Sequence, residues 1–151
     1  MTTIVMPEDT NKFGSIFGGR VMEWIDKAAA VSALRHCRMN VVTASVDHLD
    51  FLFPIHLGDI VHLRASVNYV HRSSMEIGVQ VLSENPKTGR LLHTCSAYLT
   101  MVGLDDRGRP GCVPQLIPKT REDCRRQKEG ERRRRSRIAF RKKRSAKRAA
   151  P

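Results

Sequence analysis

The longest regular pattern in the chain is an apolar stretch that follows Phe17, Gly18 and Gly19. From Val21 to about Arg35 there is neither Gly nor Pro, and residues of high helix propensity dominate. The apolar positions cover most of the circumference of a helix, which predicts a central helix surrounded by other structure. These positions are Val21, Met22, Trp24, Ile25, Ala28, Ala29, Val31, Ala33 and Leu34. Asp26 lies among them, where a buried carboxylate is costly unless it is paired or hydrogen-bonded.

Alternation of apolar and polar residues before and after this helix predicts five strands. They cover a short edge strand at Thr2–Met6, then Val41–Leu49, Val61–Tyr69, Met75–Val81 and Leu91–Met101. Short turns join the last three strands, which favours an antiparallel meander. One long apolar helix and one sheet must cover each other. The pattern therefore predicts an α+β fold, with a curved antiparallel sheet of about five strands wrapped around the helix.

The net charge of +12 belongs to one end of the chain. Residues 119–151 hold 16 Lys and Arg against 4 Asp and Glu, whereas residues 1–118 hold 11 of each sign. The composition changes from about Pro110, and the tail has few large apolar residues with which to build a core. We therefore predict a globular domain at 1–118 and a basic tail at 119–151, either disordered or a solvated, partly helical arm interrupted at Gly130.

Composition excludes several classes. No apolar run reaches the length of a membrane span, and the first residues lack a secretory signal. The four cysteines are scattered without a CxxC pair, which favours reduced thiols in a cytoplasmic protein. The six histidines, His48 among them, show no spacing typical of metal ligands, so no metal site is predicted.

Three motifs together resemble a known family. They are PEDTNKFGSIFGGRVMEWIDKAAAVSA at residues 7–33, TASVDHLDFLFPIHLGDIV at 43–61 and HRSSMEIGV at 71–79. Residues 3–104 resemble the hotdog-fold acyl-CoA thioesterases, above all the bacterial acyl-CoA hydrolases related to the animal cytosolic and brain enzymes. The resemblance leaves the tail out.

The resemblance implies a sheet of five strands around a central helix, and protomers that pair edge to edge. It implies a homodimer that assembles further into a trimer of dimers, with active sites at the dimer interface. In the family, an Asn from the TNxxG loop of one subunit acts with an Asp from the helix of its neighbour. Asn11 and Asp26 occupy these positions.

These residue types suit the hydrolysis of a thioester. Asp26 is predicted to act as general base on water or as a nucleophile that forms an anhydride, and the sequence does not decide between these. Backbone N–H groups near Gly18 and Gly19, at the positive end of the helix, would polarise the carbonyl. The structural alternatives are that Asp26 is hydrogen-bonded to nearby backbone or pairs with Lys27 or Arg20, that Asn11 is a turn residue, and that the glycines serve helix–sheet packing.

Coenzyme A carries phosphates, which require cations and hydrogen-bond donors. Arg72, Ser73 and Ser74 lie where the nucleotide-binding edge of the family begins, and an ordinary solvated turn is the alternative. Phe17 and Trp24 complete the predicted substrate-binding set, with core packing as the alternative for Trp24. The resemblance implies no cofactor, because coenzyme A belongs to the substrate and product.

Other functions remain as alternatives. The tail could bind RNA, DNA or an anionic membrane, but it lacks aromatic residues for base stacking apart from Phe140. A solvated tail is favoured over nucleic-acid binding. A hotdog dehydratase would use a His, and none lies between Pro7 and Gly19. A non-catalytic acyl-CoA-binding protein would have no need of Asp26.

Overall fold

A computed structural model describes residues 1–47 and 49–149, with side chains described up to residue 142 except that of residue 48. His48, which the sequence places at the end of a strand, lies outside the described residues. The elements are β1 (Thr2–Ile4), a 3-10 turn (Pro7–Asp9), α1 (Gly18–Cys37), β2 (Asn40–Val46), β3 (Ile60–His71), β4 (Ser74–Glu84), β5 (Leu91–Leu104) and α2 (Arg121–Ala149).

The five strands form one antiparallel sheet in the order β1-β3-β4-β5-β2. The meander of β3, β4 and β5 is therefore as the sequence predicts, and β1 and β2 form the two edges. Alternate residues of β4 and β5 point inward and are buried against α1: Met75, Ile77, Val79, Val81, Cys95, Ala97, Leu99 and Met101. Val21, Ile25, Ala28, Ala29 and Ala33 form the facing stripe of the helix, so the core lies between α1 and the inner face of the sheet.

Helix α1 is not surrounded on all sides by its own chain. Its open face carries Met22, Val31 and Leu34, which are 46%, 53% and 42% exposed, and Asp26 is exposed on the same helix. The expectation of a helix buried all round is thus wrong for the single chain, because one curved sheet covers only one side of a helix. The residue after the helix, Arg38, adopts the left-handed conformation and donates its N–H to the Leu34 carbonyl, which ends α1.

The basic tail is also more ordered than the sequence suggests. Its described residues form the continuous helix α2, which runs through Gly130 without the predicted interruption. Gly130 is buried, and a Cβ built on it would lie 2.8 Å from Cβ of Tyr69 and 3.0 Å from Oε1 of Glu76. The glycine therefore permits the close approach of α2 to the outer face of the sheet. Within the described residues, neither helix is long and apolar enough to cross a membrane.

A buried carboxylate holds α2 on the sheet. Glu76 of β4 points to the outer face and its side chain is only 1% exposed. Its Oε1 accepts hydrogen bonds from Arg133 at 2.7 and 3.0 Å, and its Oε2 accepts one from Arg137 at 2.9 Å. Arg137 also pairs with Asp47, and the Arg133 guanidinium lies 3.7 Å from the ring centroid of Tyr98. Charge-assisted bonds to a buried acid thus orient a helix that has few apolar side chains of its own.

We expect Glu76→Gln to lower the free energy of unfolding by about 2 to 4 kcal/mol, because two arginines lose their buried partner. Urea unfolding followed by circular dichroism measures the change. The matched control is Glu131→Gln on α2, because the Glu131 side chain is 43% exposed and that of its partner Arg135 is 75% exposed. That change should cost about 0.5 kcal/mol or less. Equal effects of the two substitutions would contradict a docking role for Glu76.

Candidate active site

Residues 7–17 form a loop that the chain closes with its own hydrogen bonds. The Asn11 side-chain oxygen accepts the N–H of Phe13 at 2.9 Å and that of Ser15 at 3.4 Å. Gly14 adopts a positive φ of 75° and donates its N–H to the Asn11 carbonyl. The Asn11 N–H in turn donates to the Ser15 carbonyl at 2.8 Å. Asn11 therefore is a turn residue, as the structural alternative states. Its side-chain NH₂ takes part in none of these bonds.

Asp9 fixes this loop to the start of α1. The residue is 7% exposed, and its carboxylate accepts the Met6 N–H at 3.0 Å and pairs with Arg20 Nε at 2.8 Å. The loop and the first turn of the helix are thereby held as one unit. Sequence reasoning did not single out Asp9, although an acid at the end of a proline-started turn is a typical anchor of this kind.

The helix starts at Gly18, with Phe17 as its N-terminal cap. Phe17 is 54% exposed, and both glycines are exposed as well. A Cβ on Gly19 would meet nothing within 4 Å, and one on Gly18 would make ordinary contacts of 3.5 Å with Phe51. Packing within the chain therefore does not require either glycine. The open space leaves the first N–H groups of the helix accessible.

Asp26 lies two turns further along the helix and is hydrogen-bonded to β2. Thr43 donates its hydroxyl to Asp26 Oδ1 at 2.6 Å. The predicted alternative partners bind elsewhere: Lys27 and Arg20 both pair with Glu23, at 2.6 and 2.7 Å. Their hydrogen bonds, first that of Lys27, lower the pKa of the Glu23 carboxyl. The ion-pair interpretation of Asp26 is therefore wrong.

Thr43 is the site residue that sequence reasoning missed. It stands next to a β-bulge, because the pairing of β2 with β5 skips one residue between Thr43 and Ser45. Such a bulge redirects a side chain from the regular alternation. The available signal was a hydroxyl residue at the first position of the 43–61 motif, and its link to Asp26 becomes visible only in three dimensions.

A cavity of about 320 Å³ adjoins the start of α1. Its wall is formed by Ser15, Ile16, Gly18, Val21 and residues 51–55. Phe51 and Phe53 are about half exposed at its rim. Hydrogen bonds between backbone groups, such as the one from Ile16 N–H to Ile55, join the two loops that line it. The cavity is mainly apolar, and it opens beside the free N–H groups of the helix.

The turn at residues 71–74 occupies the end of the β3–β4 hairpin. Arg72 is exposed and has a positive φ of 49°, and Ser74 donates its hydroxyl to the His71 carbonyl at 3.1 Å. Met75 pairs with Met101, which pairs with Thr43. Two interstrand spacings of about 4.8 Å then place the turn roughly 10 Å from the Thr43 backbone.

Not all predicted site residues meet in one chain. No hydrogen bond or ion pair in the described part of the chain joins Asn11 to Asp26. Trp24 is 8% exposed and belongs to the core. Among the described residues, no three His, Cys, Asp or Glu side chains lie close enough to hold a metal ion.

Comparison with known proteins identifies the fold. The family model described as the thioesterase superfamily matches residues 13–90. An uncharacterized acyl-CoA thioester hydrolase of Bacillus subtilis is 45% identical over 122 residues, which cover 81% of this chain and 71% of the relative. A hexameric acyl-CoA thioesterase of known structure superposes with a TM-score of 0.87 at 42% identity, covering 97% of this chain and 91% of the other.

A further solved structure shows an acyl-CoA hydrolase of Staphylococcus aureus with butyryl coenzyme A and coenzyme A. It superposes with a TM-score of 0.89 at 37% identity, covering 97% of this chain and 90% of the other. Three structures of variants of that protein carry Ala in place of an Asn, an Asp and a Thr. The Asp follows the Asn by 15 residues, and the Thr follows the Asp by 17 residues.

The curled five-stranded sheet, the central helix and these matches define a hotdog-fold enzyme of the thioesterase superfamily. Within that superfamily the chain belongs to the acyl-CoA thioesterase family that its sequence motifs resemble, so the expected fold and family are confirmed.

We expect Gly19→Ala to keep or raise the stability of the fold by up to about 1 kcal/mol, because Ala is the better helix former and its Cβ has free space. Turnover should fall by about tenfold or more, since a methyl group would obstruct the approach of a thioester carbonyl to the backbone donors. Urea unfolding and steady-state hydrolysis measure the two effects. Unchanged turnover would show that nothing approaches the Gly19 backbone during catalysis.

Proposed function

We propose that this enzyme hydrolyses acyl-CoA thioesters to a carboxylic acid and coenzyme A, with Asp26 as its central catalytic group. The observation that carries the proposal is the hydrogen bond between Thr43 and Asp26 at an exposed position of α1. Asn11, Asp26 and Thr43 are separated by 15 and 17 residues. These are the intervals between the three substituted residues of the Staphylococcus aureus acyl-CoA hydrolase.

The chemistry follows from the arrangement of the Asp26 carboxylate. Thr43 fixes Oδ1, and no described residue donates a hydrogen bond to Oδ2. In one route, Oδ2 takes a proton from water while the water oxygen attacks the thioester carbonyl, and the carbon–sulfur bond then breaks. In the other route, Oδ2 itself attacks and forms an anhydride, which water opens afterwards. In the first route the proton that Asp26 took from water passes to the departing sulfur. In the second route the sulfur leaves as a thiolate, and the water that opens the anhydride supplies the proton, so both routes end with the free thiol of coenzyme A.

The start of α1 would stabilise the developing oxyanion. Its first N–H groups at Gly18 and Gly19 have no intrahelical acceptor and lie at the positive end of the helix dipole. Gly19 and Asp26 are separated by about 10 Å of helix rise, and an Asp side chain tilts back toward the N-terminus. The thioester carbonyl and a water molecule would lie between these two groups. The apolar cavity beside Gly18 suits the acyl chain.

The site is complete only with a second copy of the chain. The edge strand β2 exposes Val42 and Val46 at 46% and 43%, next to the open apolar face of α1. An exposed apolar edge strand is suited to pair with an identical edge. Such pairing would bring Asn11 of a neighbouring subunit to Asp26 and Thr43, where its side-chain NH₂ would orient the attacking water. A trimer of such dimers, in line with the hexameric relative, is the assembly we propose.

The phosphates of coenzyme A would bind the turn at residues 71–74. Arg72 supplies a guanidinium and Ser73 a hydroxyl there, with Ser74 beside them. The left-handed backbone of Arg72 costs free energy for a residue with a side chain, which fits a position kept for a ligand. Phe17 would contact the substrate from the helix cap. No cofactor is proposed, and a cytoplasmic location stays a prediction.

We expect Asp26→Asn and Asn11→Ala each to reduce kcat for acyl-CoA hydrolysis by about 100-fold or more, and Thr43→Val by about tenfold, because the first two remove a reacting or water-orienting group. Release of free thiol from acyl-CoAs of increasing chain length measures the rates. Glu23→Gln is the matched control, since it neutralises an acid one turn earlier on α1 and should retain wild-type turnover.

A folded Asp26→Asn enzyme with undiminished turnover would overturn the assignment. Binding of acyl-CoA by the wild type without any thiol release would instead support the non-catalytic acyl-CoA-binding alternative.

Combining two inactive variants in one dimer tests whether two subunits share each active site. If Asn11 and Asp26 of one site come from different subunits, then a hybrid of the Asn11→Ala and Asp26→Asn chains contains one intact site and one doubly altered site. Co-expression at equal levels should then restore about a quarter of wild-type activity, because about half of the dimers are hybrids. Each variant alone stays inactive. Failure of the mixture to gain activity, with hybrids confirmed by mass, would show that both residues act within one chain.

A further inference from the structure

The two faces of α2 differ in how their cations are used. On the face toward the sheet, Arg126 donates to Ser66, Arg133 and Arg137 bind Glu76, and Arg134 contacts His71. These side chains and Gly130 account for the docking of the helix. At 3.6 residues per turn, residues 126, 130, 133 and 137 fall within an arc of about 60°.

The opposite face carries a second row of cations, which we call the outer stripe. It consists of Arg121, Arg125, Lys128, Arg132, Arg135 and Lys142, and all six are exposed. Their positions fall within an arc of about 100° over roughly 32 Å of helix. Arg125 and Arg132 also line cavities between α2 and the outer face of the sheet. Arg125 pairs with Glu122 and Glu129, and Arg135 pairs with Glu131. The other four have no acidic partner among the described residues.

The four stripe cations without an acidic partner, Arg121, Lys128, Arg132 and Lys142, make no side-chain hydrogen bond or ion pair within the described residues that stabilises the fold. Lys128 and Arg132 lie four residues apart and Arg132 and Arg135 three apart, and like charges at these spacings destabilise a helix by about 0.2 to 0.5 kcal/mol per pair. From residue 132 to residue 149 the sequence holds eleven Lys and Arg and no acid. Docking uses Arg133, Arg134 and Arg137, so the stripe cations need an explanation outside the chain.

The chemistry of the stripe selects the ligand. No aromatic or large aliphatic side chain lies in its arc, so it offers neither a stacking platform for bases nor an apolar face to enter a lipid layer. The exposed apolar residues of α2, Ile138 and Phe140, lie outside the arc of the stripe. What remains is a row of guanidinium and ammonium groups along one helix, which complements the closely spaced negative phosphates of a duplex.

We propose that the outer stripe of α2 binds the phosphate backbone of double-stranded nucleic acid without sequence preference. The contacts would be ionic, so the affinity should fall steeply as salt displaces the protein from the phosphates. The surface is separate from the proposed hydrolytic site, which lies on α1 and β2. Hydrolysis and nucleic-acid binding are therefore independent activities of one protein.

The test compares two triple variants of the full chain that have the same net charge. Lys128→Gln with Arg132→Gln and Lys142→Gln removes stripe cations. Arg64→Gln with Arg107→Gln and Lys119→Gln removes three exposed cations elsewhere. Fluorescence anisotropy measures binding to a labelled random-sequence DNA duplex between about 50 and 200 mM salt. Circular dichroism and thiol release from acyl-CoA show that fold and hydrolysis are unchanged.

The wild type should bind the duplex, and the stripe variant should bind on the order of tenfold or more weakly, with a salt slope reduced by roughly 2 to 3 because three phosphate contacts are lost. The control variant should keep the wild-type slope. Three results would overturn the proposal: no duplex binding by the wild type at low salt, equal losses in both variants, or preferential binding to vesicles of phosphatidylserine and phosphatidylcholine. A loss of hydrolysis alone, with binding intact, would bear on the proposed function and not on the stripe.

Discussion

A single curved sheet cannot enclose a helix of twenty residues, and most features of this enzyme follow from that constraint. The inner face of the sheet covers the stripe of α1 that contains Val21, Ile25 and Ala29. The other side of α1 remains open, with Asp26 and apolar residues such as Val31 exposed together. The Asp26 carboxylate is therefore not buried by its own fold. It lies at the boundary of the core, where one hydrogen bond to Thr43 fixes its direction and solvent can still reach it.

The outer face of the same sheet is covered in a different way. The inner face of the sheet is apolar, whereas the outer face presents Glu76, Tyr98 and buried Asn68. The element that packs on the outer face must therefore supply hydrogen bonds and positive charge. Helix α2 does so with guanidinium groups, which bind carboxylate and aromatic ring alike. The protein thus has a hydrophobic layer on one side of the sheet and an ionic layer on the other.

The sequence predicts the architecture well because each strand and α1 show a clear period. The motif also points directly to Asp26 and Asn11. Contacts between distant segments are not visible in this way. Thr43 lies beside a bulge and hydrogen-bonds Asp26, and Asp9 anchors its loop by pairing with Arg20. Neither contact can be predicted from the local sequence pattern. The docking of the tail is missed for a related reason. Its composition suggests disorder or a solvated, partly helical arm, and the buried acid that binds its arginines lies more than fifty residues earlier in the chain.

The close approach at Gly130 fixes how α2 is rotated about its own axis. Any other residue there would collide with Tyr69, so the helix cannot roll or slide to a neighbouring register. Each residue inserted or deleted after this point turns everything downstream by about 100°. A change of one residue beyond Gly130 would swing the distal cations sideways, whereas a change of seven would restore their direction. The spacing between this glycine and the cations that follow it is therefore as much a part of the surface as the charges themselves.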